Sequence, residues 1–314
     1  MLSEGRCTVR SVTRRGWLLF GTLSLFWGVP YLLIRIAVAE FDPVVVAFGR
    51  TAIGGLVLLP FALRARALRP LLSHWRWLLI YTGVEIVAPW VLLGHVETRL
   101  NSSTTGLLVA MVPIVAAIIL TVTGHDRLGA RRVTGLVIGF IGVALLVGLD
   151  IQVGDLIAIL QILVVVIGYA IGPIIIAQKL HTLPAIGVIT ASLILASVVY
   201  APFAFVLRPS TATPAAIGSV AVLAVVCTAA AFMVMFALIA ESGPARMTLI
   251  TYVNPAVAIT LGALVLDEPI TTGLLIGFPL IILGSILGTW RSAPPPSSSV
   301  ATGPASAAVL DSDR

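Results

Sequence analysis

Long apolar runs alternate with short polar breaks along nearly the whole chain. A run of about 20 residues has the length of a helix that crosses the hydrocarbon core of a membrane. Strands of a membrane barrel would instead show about ten residues of alternating polarity. The pattern therefore predicts an all-α integral membrane protein. Ten transmembrane helices are predicted, at residues 17–39, 44–63, 77–95, 103–123, 132–149, 154–175, 184–206, 214–239, 245–266 and 271–290.

Composition and charge support this class and predict an orientation. Of the 314 residues, 59% are hydrophobic and 10% are charged, whereas a soluble domain carries roughly 25% charged residues. With a cytoplasmic N-terminus, all lysines and arginines except Arg35, Arg50, Arg99 and Arg208 fall into cytoplasmic segments. The positive-inside rule then predicts a plasma (inner) membrane protein with both termini in the cytoplasm. The net charge of +6 reflects this topology, and no nucleic-acid partner is expected.

The chain resembles itself at a constant offset of 142 residues. The matched positions include Pro113/Pro255, Gly135/Gly277, Gly142/Gly284 and Trp27/Tyr169. Each copy holds five predicted spans, and because five is odd the second copy crosses the membrane in the opposite sense. Such an inverted-topology repeat is common among secondary transporters. We predict repeats at 17–149 and 150–290, a cytoplasmic N-terminal tail at 1–16 and a disordered cytoplasmic tail rich in Pro, Ser and Ala at 291–314.

Three charged residues, Arg35, Arg50 and Glu85, lie inside predicted spans away from the first and last two residues of each span. A charge at the centre of a span disfavours insertion by about 2.5–3.5 kcal/mol, so such groups face the protein interior or water. Glu85 has two interpretations: a proton-coupling or substrate-ammonium site, or one partner of a structural ion pair, with Arg50 preferred as the other. Arg35 has a further interpretation, a side chain that reaches the outer interface.

Prolines inside spans predict interrupted helices. A proline has no N–H, so the carbonyl four residues earlier loses its helical hydrogen bond. Interrupted helices at corresponding positions of two halves indicate a transport site, although each proline alone is equally compatible with a packing kink. The prolines are Pro30, Pro89, Pro113, Pro173 and Pro255. Polar and aromatic candidates for the cavity lining, which could equally pack in the core, are Trp27, Tyr31, Trp90, Tyr169, Tyr252 and Asn254.

Small and acidic residues add two expectations about packing. The GxxxG runs at 168–172 and 273–277 let helices approach closely, within the chain or at a homodimer face. Asp126 and Glu268 are expected to cap the fifth helix of each repeat, where a negative charge complements the helix dipole.

Several segments together resemble the EamA family of the drug/metabolite transporter superfamily. They are WG at 27–28 with Arg35, Pro43 and Arg50, then Pro113 with its small-residue helix, HDRLGARRVTG at 125–135, and YVNPAVAITLGALVLDEPITTGLLIGFPLIILG at 252–284. The resemblance covers about residues 17–290 and implies a ten-helix transporter of metabolites or amino acids, often an exporter. Asp126 departs from the Glu that is usual in the family.

The predicted function is secondary active transport of a small organic metabolite, an amino acid or similar, by proton-coupled export and alternating access. One alternative is an exchanger or facilitator for anionic metabolites, in which Arg35 and Arg50 bind the anion. Another is a membrane protein that transports nothing. The sequence has no GxxxxGK[ST], GxSxG or HExxH motif, so neither ATP hydrolysis nor enzyme activity is predicted. Its cysteines and histidines lack metal-ligand spacing, so no metal or cofactor is expected.

Overall fold

The structure is a computed structural model that describes residues 13–124, 129–150, 155–242 and 247–289. Every regular element within these ranges is helical. Eight helical segments are long and apolar enough to cross a membrane, and two shorter apolar helices follow them. They are α1 (Arg14–Val38), α2 (Pro43–Arg64), α3 (Arg69–Glu97), α4 (Ser102–Val122), α5 (Ala130–Leu149), α6 (Leu156–Leu180), α7 (Ala185–Leu207), α8 (Pro214–Glu241), α9 (Leu249–Val265) and α10 (Thr272–Gly288).

The polar breaks in the sequence act as helix caps. Thr13 accepts a hydrogen bond from the backbone N–H of Gly16 at the start of α1. Asp42 caps α2 in the same way, and Thr213 caps α8. A proline follows each of the last two caps, at a position where the helix has no use for an N–H. These caps fix where α1, α2 and α8 begin.

The two five-helix halves pack with a twofold relation. The pairs α2–α7, α4–α9 and α5–α10 each join equivalent helices of the two halves. The pair α1–α8 has its counterpart in α3–α6, and α1–α9 has its counterpart in α4–α6. An axis that exchanges the halves produces this pattern, and because the halves cross in opposite senses the axis lies in the membrane plane. The predicted all-α fold with two inverted repeats is therefore confirmed.

Glycines hold α5 and α10 in direct backbone contact. A Cβ added to Gly284 would lie 2.5 Å from the Cα of Gly139 and 2.7 Å from the carbonyl oxygen of Gly135. A Cβ added to Gly277 would lie 3.1 Å from the carbonyl oxygen of Gly142. Residue numbers rise along α5 as they fall along α10, so the two helices are antiparallel. Gly135–Gly284 and Gly142–Gly277 are also equivalent contacts at the 142-residue offset.

The structure extends the third span at both ends, extends the sixth span to Leu180, and reassigns the GxxxG runs. The third span begins at Arg69 and ends at Glu97, whereas the sequence analysis placed it at 77–95, so Glu97 belongs to the span. Gly168 packs against Pro89, and Gly277 packs against α5. Both GxxxG runs therefore serve contacts within the chain and give no support to a homodimer face. Residues 1–12 and 290–314, which hold most of the predicted tails, lie outside the described residues.

The connections 39–42, 98–101, 208–213 and 266–271 lie at one end of the helices, which we call the outer face because the charge distribution predicts it to be extracytoplasmic. Glu40 accepts hydrogen bonds there from the hydroxyl and the backbone N–H of Thr213, the latter at 2.7 Å. The hydroxyl bond and then the backbone bond lower the pKa of Glu40. This contact ties the end of α1 to the start of α8, across the two halves.

We predict that Gly284→Ala destabilises the fold, because its methyl group would overlap the backbone of α5. Overpacking of this kind costs about 1–3 kcal/mol, which lowers the midpoint of thermal unfolding in detergent. Gly218→Ala is the matched control, since nothing lies within 4 Å of a Cβ at that position. Equal midpoints for the two variants would contradict the close contact between α5 and α10.

Candidate functional site

The third span changes its winding near the middle of the membrane. An α-helix over Trp75–Tyr81 gives way to a π-helical turn at Thr82–Val87 and returns to an α-helix at Ala88–Glu97. Pro89 explains the change, since it cannot donate to the helical ladder. The hydroxyl of Tyr200 on α7 lies 2.8 Å from the carbonyl of Val87 and 3.1 Å from that of Ile86. Tyr200 thus ties α7 to the turn through its hydroxyl.

The eighth span contains the counterpart of this turn. Its π-helical segment is Val225–Ala230, and the offset of 142 residues places the first turn at 224–229. Thr228 donates its hydroxyl to the carbonyl of Leu223 at 2.8 Å. The same oxygen accepts a hydrogen bond from Nε of Arg50 at 2.9 Å. The third helix of each half is therefore interrupted at an equivalent position, as in transporters with midplane sites.

Arg50 is buried beside this second turn and is only 9% exposed. Its guanidinium carbon lies 3.7 Å from the centre of the Trp90 ring, a cation–π contact. It also interacts electrostatically with Tyr169, Cys227, Tyr31 and Tyr200. Among the described residues no carboxylate lies within salt-bridge distance of it. Arg50 is thus a buried cation held by aromatic groups and a hydroxyl.

The predicted ion pair between Glu85 and Arg50 is not formed. Glu85 packs against α6, where a Cβ on Gly172 would lie 2.6 Å from its carboxyl carbon. Its Oε2 atom is buried without a hydrogen-bond partner among the described residues. Tyr169 interacts electrostatically with both Arg50 and Glu85. Arg50 and Glu85 are therefore both near Tyr169, but they form no ion pair with each other.

Arg35 and Glu97 meet at the outer end of α3. Arg35 donates a hydrogen bond to the backbone carbonyl of Glu97, so it does not reach out to the interface as one interpretation proposed. Glu97 is 0% exposed, and neither of its carboxylate oxygens has a partner in the part of the chain that the structure describes. The sequence analysis missed Glu97 because it ended the span at residue 95. The available signal was an acidic residue two positions past that end.

Glu268 caps a different helix from the one predicted. Its Oε1 accepts from the backbone N–H of Ser102 at 2.8 Å, and its Oε2 accepts from that of Ser103 at 3.0 Å. These N–H groups begin α4, so the expectation that Glu268 caps α10 is wrong. The carboxylate instead satisfies helix donors across the two halves. Asp126, its counterpart, lies outside the described residues.

Four further candidates contact neighbouring helices, two through their rings and two through hydrogen bonds. Trp27 contacts Phe232 edge to face, with ring centres 6.2 Å apart. Asn254, with its amide nitrogen turned toward α1, donates to the carbonyl of Ser24 at 3.2 Å. Tyr252 donates to a carbonyl of α10 at 3.2 Å, and the ring of Tyr31 packs beside α4 at Gly106. Of these four, only Tyr31 belongs to the surroundings of Arg50.

The prolines differ in their effect on the helices. The helix breaks at Val29 before Pro30, and α4 breaks between Val109 and Val112, just before Pro113. The helix continues through Pro173 and Pro255, so no break occurs at those two. In α6 the winding changes only later, at the π-helical segment Ile176–Leu180. A missing N–H therefore interrupts the helix at some of these prolines and not at others.

Comparison with known proteins agrees with this geometry. The model of the EamA-like transporter family matches residues 14–148 and 156–290. The Uncharacterized transporter YvbV of Bacillus subtilis is 27% identical over 88% of this chain and 92% of its own length. An Uncharacterized transporter of Archaeoglobus fulgidus is 21% identical over 85% and 96% of the two chains. One crystal structure, 18% identical, has a TM-score of 0.62 and covers 87% of this chain and 96% of its own; this last likeness concerns the fold alone.

We predict that Tyr200→Phe destabilises the protein, because α7 loses its hydrogen bond to the first π-helical turn. A hydrogen bond of this kind contributes about 0.5–1.5 kcal/mol to stability, which a thermal unfolding series would detect. Tyr31→Phe is the control: Tyr31 is also buried, but its hydroxyl makes no hydrogen bond to any described residue. If both variants unfold at the wild-type temperature, Tyr200 does not close the turn.

Proposed function

Because the chain belongs to the EamA-like transporter family, we propose that it exports a small organic solute that carries a carboxylate, such as an amino acid. The chain is a multi-pass membrane transporter of a small substrate. The solute class, the direction and the use of a proton gradient are our proposal. The single observation that carries it is Arg50, a buried cation with no acidic partner among the described residues.

Arg50 suits a carboxylate for electrostatic and geometric reasons. A buried charge without a counter-ion is costly unless other groups stabilise it. The Trp90 ring and Thr228 provide part of that stabilisation. Nε is occupied by Thr228, which leaves the terminal N–H groups of the guanidinium for a ligand. Those groups match the two oxygens of a carboxylate.

Glu85 provides the second charge of the site and the proposed coupling group. Glu85 and Arg50 both lie near Tyr169, and we place the carboxylate of an amino acid at Arg50 and its ammonium toward Glu85. Binding of a proton and of an ammonium group at one carboxylate would then exclude each other. This competition couples entry of protons to exit of substrate, with both termini in the cytoplasm of a plasma-membrane protein.

The alternative of an exchanger or facilitator for anionic metabolites needs Arg50 but not Glu85. The sequence analysis assigned the anion to both Arg35 and Arg50. Arg35 is hydrogen-bonded to the carbonyl of Glu97, so it does not add a second free cation at the site, and this weakens the alternative. Competition experiments separate the two proposals: zwitterionic solutes inhibit an amino-acid transporter, whereas dicarboxylates inhibit the anion carrier. Liposomes that move neither class would favour the protein that transports nothing.

We predict that Arg50→Gln abolishes release of the substrate class. The test is a metabolite profile of the medium around cells that express the wild type, Arg50→Gln or the control Arg208→Gln, whose residue is exposed at the end of α7. The wild type and Arg208→Gln should release the same carboxylate-bearing compounds, and Arg50→Gln should not. Equal release by all three would contradict the role of Arg50.

We predict that Glu85→Gln separates exchange from proton drive. In liposomes loaded with the compound identified by profiling, the variant should still exchange labelled for unlabelled solute. It should no longer respond to an imposed pH gradient, because the amide cannot carry a proton. Glu241→Gln, at the opposite end of α8 from Thr213, is the control and should keep the response. A full response in Glu85→Gln would remove Glu85 from coupling.

A further inference from the structure

A second buried carboxylate, Glu97, lies where the outer ends of several helices meet. It is fully buried, although only four residues of chain separate it from the start of α4. Both carboxylate oxygens lack a hydrogen-bond partner among the described residues. The proposed function makes no use of this group, so its burial calls for an explanation.

The charged and titratable groups around Glu97 come from four elements. Arg35 and Tyr31 approach from α1, Arg50 from α2, Tyr169 from α6 and Glu268 from the connection after α9. The nearest cation, Arg35, donates to the backbone carbonyl of Glu97 and not to its carboxylate. Glu268 adds a negative charge nearby while it caps α4. The setting thus contains cations but gives the carboxylate no direct partner.

Electrostatics decides which form of Glu97 this packing tolerates. An ionised carboxylate that is buried without hydrogen bonds carries a large desolvation penalty, whereas the neutral acid carries a far smaller one. The outer start of α4 is closed here, since Ser102, Ser103, Thr104 and Thr105 are all buried. If this face opened, water would reach Glu97 and Arg35 could turn from the carbonyl to the carboxylate. The ionised form belongs to that open arrangement.

We propose that Glu97 is a proton-binding residue of the outer gate, neutral when the outer face is closed and ionised when it is open. The proposal rests on the proposed function, since it gives the transporter a second proton site on α3 beyond Glu85. Protonation then favours closure, and a rise in pH favours opening. One proton changes the ratio of closed to open molecules by at most about tenfold per pH unit.

The test measures the gate without any substrate. Spin labels on cysteines introduced at Thr98 and Ile270, both exposed on the outer face, report the distance between the end of α3 and the connection from α9 to α10 by pulsed electron resonance. The protein is held in lipid nanodiscs between about pH 5 and 9, in a background with Cys7→Ser and Cys227→Ser. The wild type should shift toward longer distances as the pH rises.

Three variants make the result specific. Glu97→Gln mimics the neutral acid and should stay at the short distance at every pH. Glu97→Asp keeps a titratable group and should keep a pH-dependent shift. If the shift is lost in Glu97→Gln and kept in Glu97→Asp, the loss does not reflect misfolding. Arg208→Gln is the control on the same face, because Arg208 is exposed at the end of α7; it should shift with pH as the wild type does.

Specific outcomes would overturn the proposal. They are a wild-type distance that does not change with pH, a Glu97→Gln variant that opens like the wild type, and opening that follows sodium concentration at constant pH. Because no substrate is present, failure here leaves the carboxylate site at Arg50 intact. Conversely, a pH-dependent gate in a protein that releases no carboxylate would refute the proposed substrate while the gate remained.

Discussion

Backbone groups in the core of a bilayer must find partners inside the protein, because no water is present to satisfy them. This requirement applies at the centre of the molecule, at the π-helical turns of α3 and α8. Tyr200 of α7 donates to the turn in α3, and Thr228 both closes the turn in α8 and binds Arg50 of α2. In each case the second helix of one half reaches the interrupted third helix of the other. The opened turns thus join the two halves and concentrate polar groups near the midplane.

The positions of Arg50 and Glu85 depend on this arrangement of helices. Arg50 is held by the Trp90 ring and Thr228, and Glu85 packs on Gly172 of α6. The glycine matters because a side chain there would occupy the space of the carboxyl group. Arg50 and an ionised Glu85 that are not in direct contact attract each other less strongly than an ion pair, since Coulomb energy falls with distance. A zwitterionic ligand would neutralise both groups, with its carboxylate at Arg50 and its ammonium at Glu85. Ligand binding and the conformation of the protein would then depend on each other.

Much of this architecture could be predicted from local pattern. Run length predicts the ten helices, and the 142-residue offset predicts the inverted halves, which the antiparallel contact of Gly135 with Gly284 confirms. Pro89 predicts an altered helix near Glu85. The contacts that join the halves could not be predicted: periodicity does not show that Tyr200 reaches α3, that Thr228 reaches Arg50, or that Glu268 caps α4. Glu97 was missed for a different reason, because the span continues past His95 through Val96 and ends at the acidic residue itself.

The central claim is that the guanidinium of Arg50 binds the carboxylate of the substrate. Thermal unfolding of the purified protein with matched ligand pairs, each an amino acid and its amide, tests it most directly, since a ligand that binds the folded state raises the unfolding temperature. The account predicts at least one pair in which the acid stabilises the wild type, the amide does not, and neither stabilises Arg50→Gln. Equal stabilisation by acid and amide, or full stabilisation of Arg50→Gln by the acid, would contradict it.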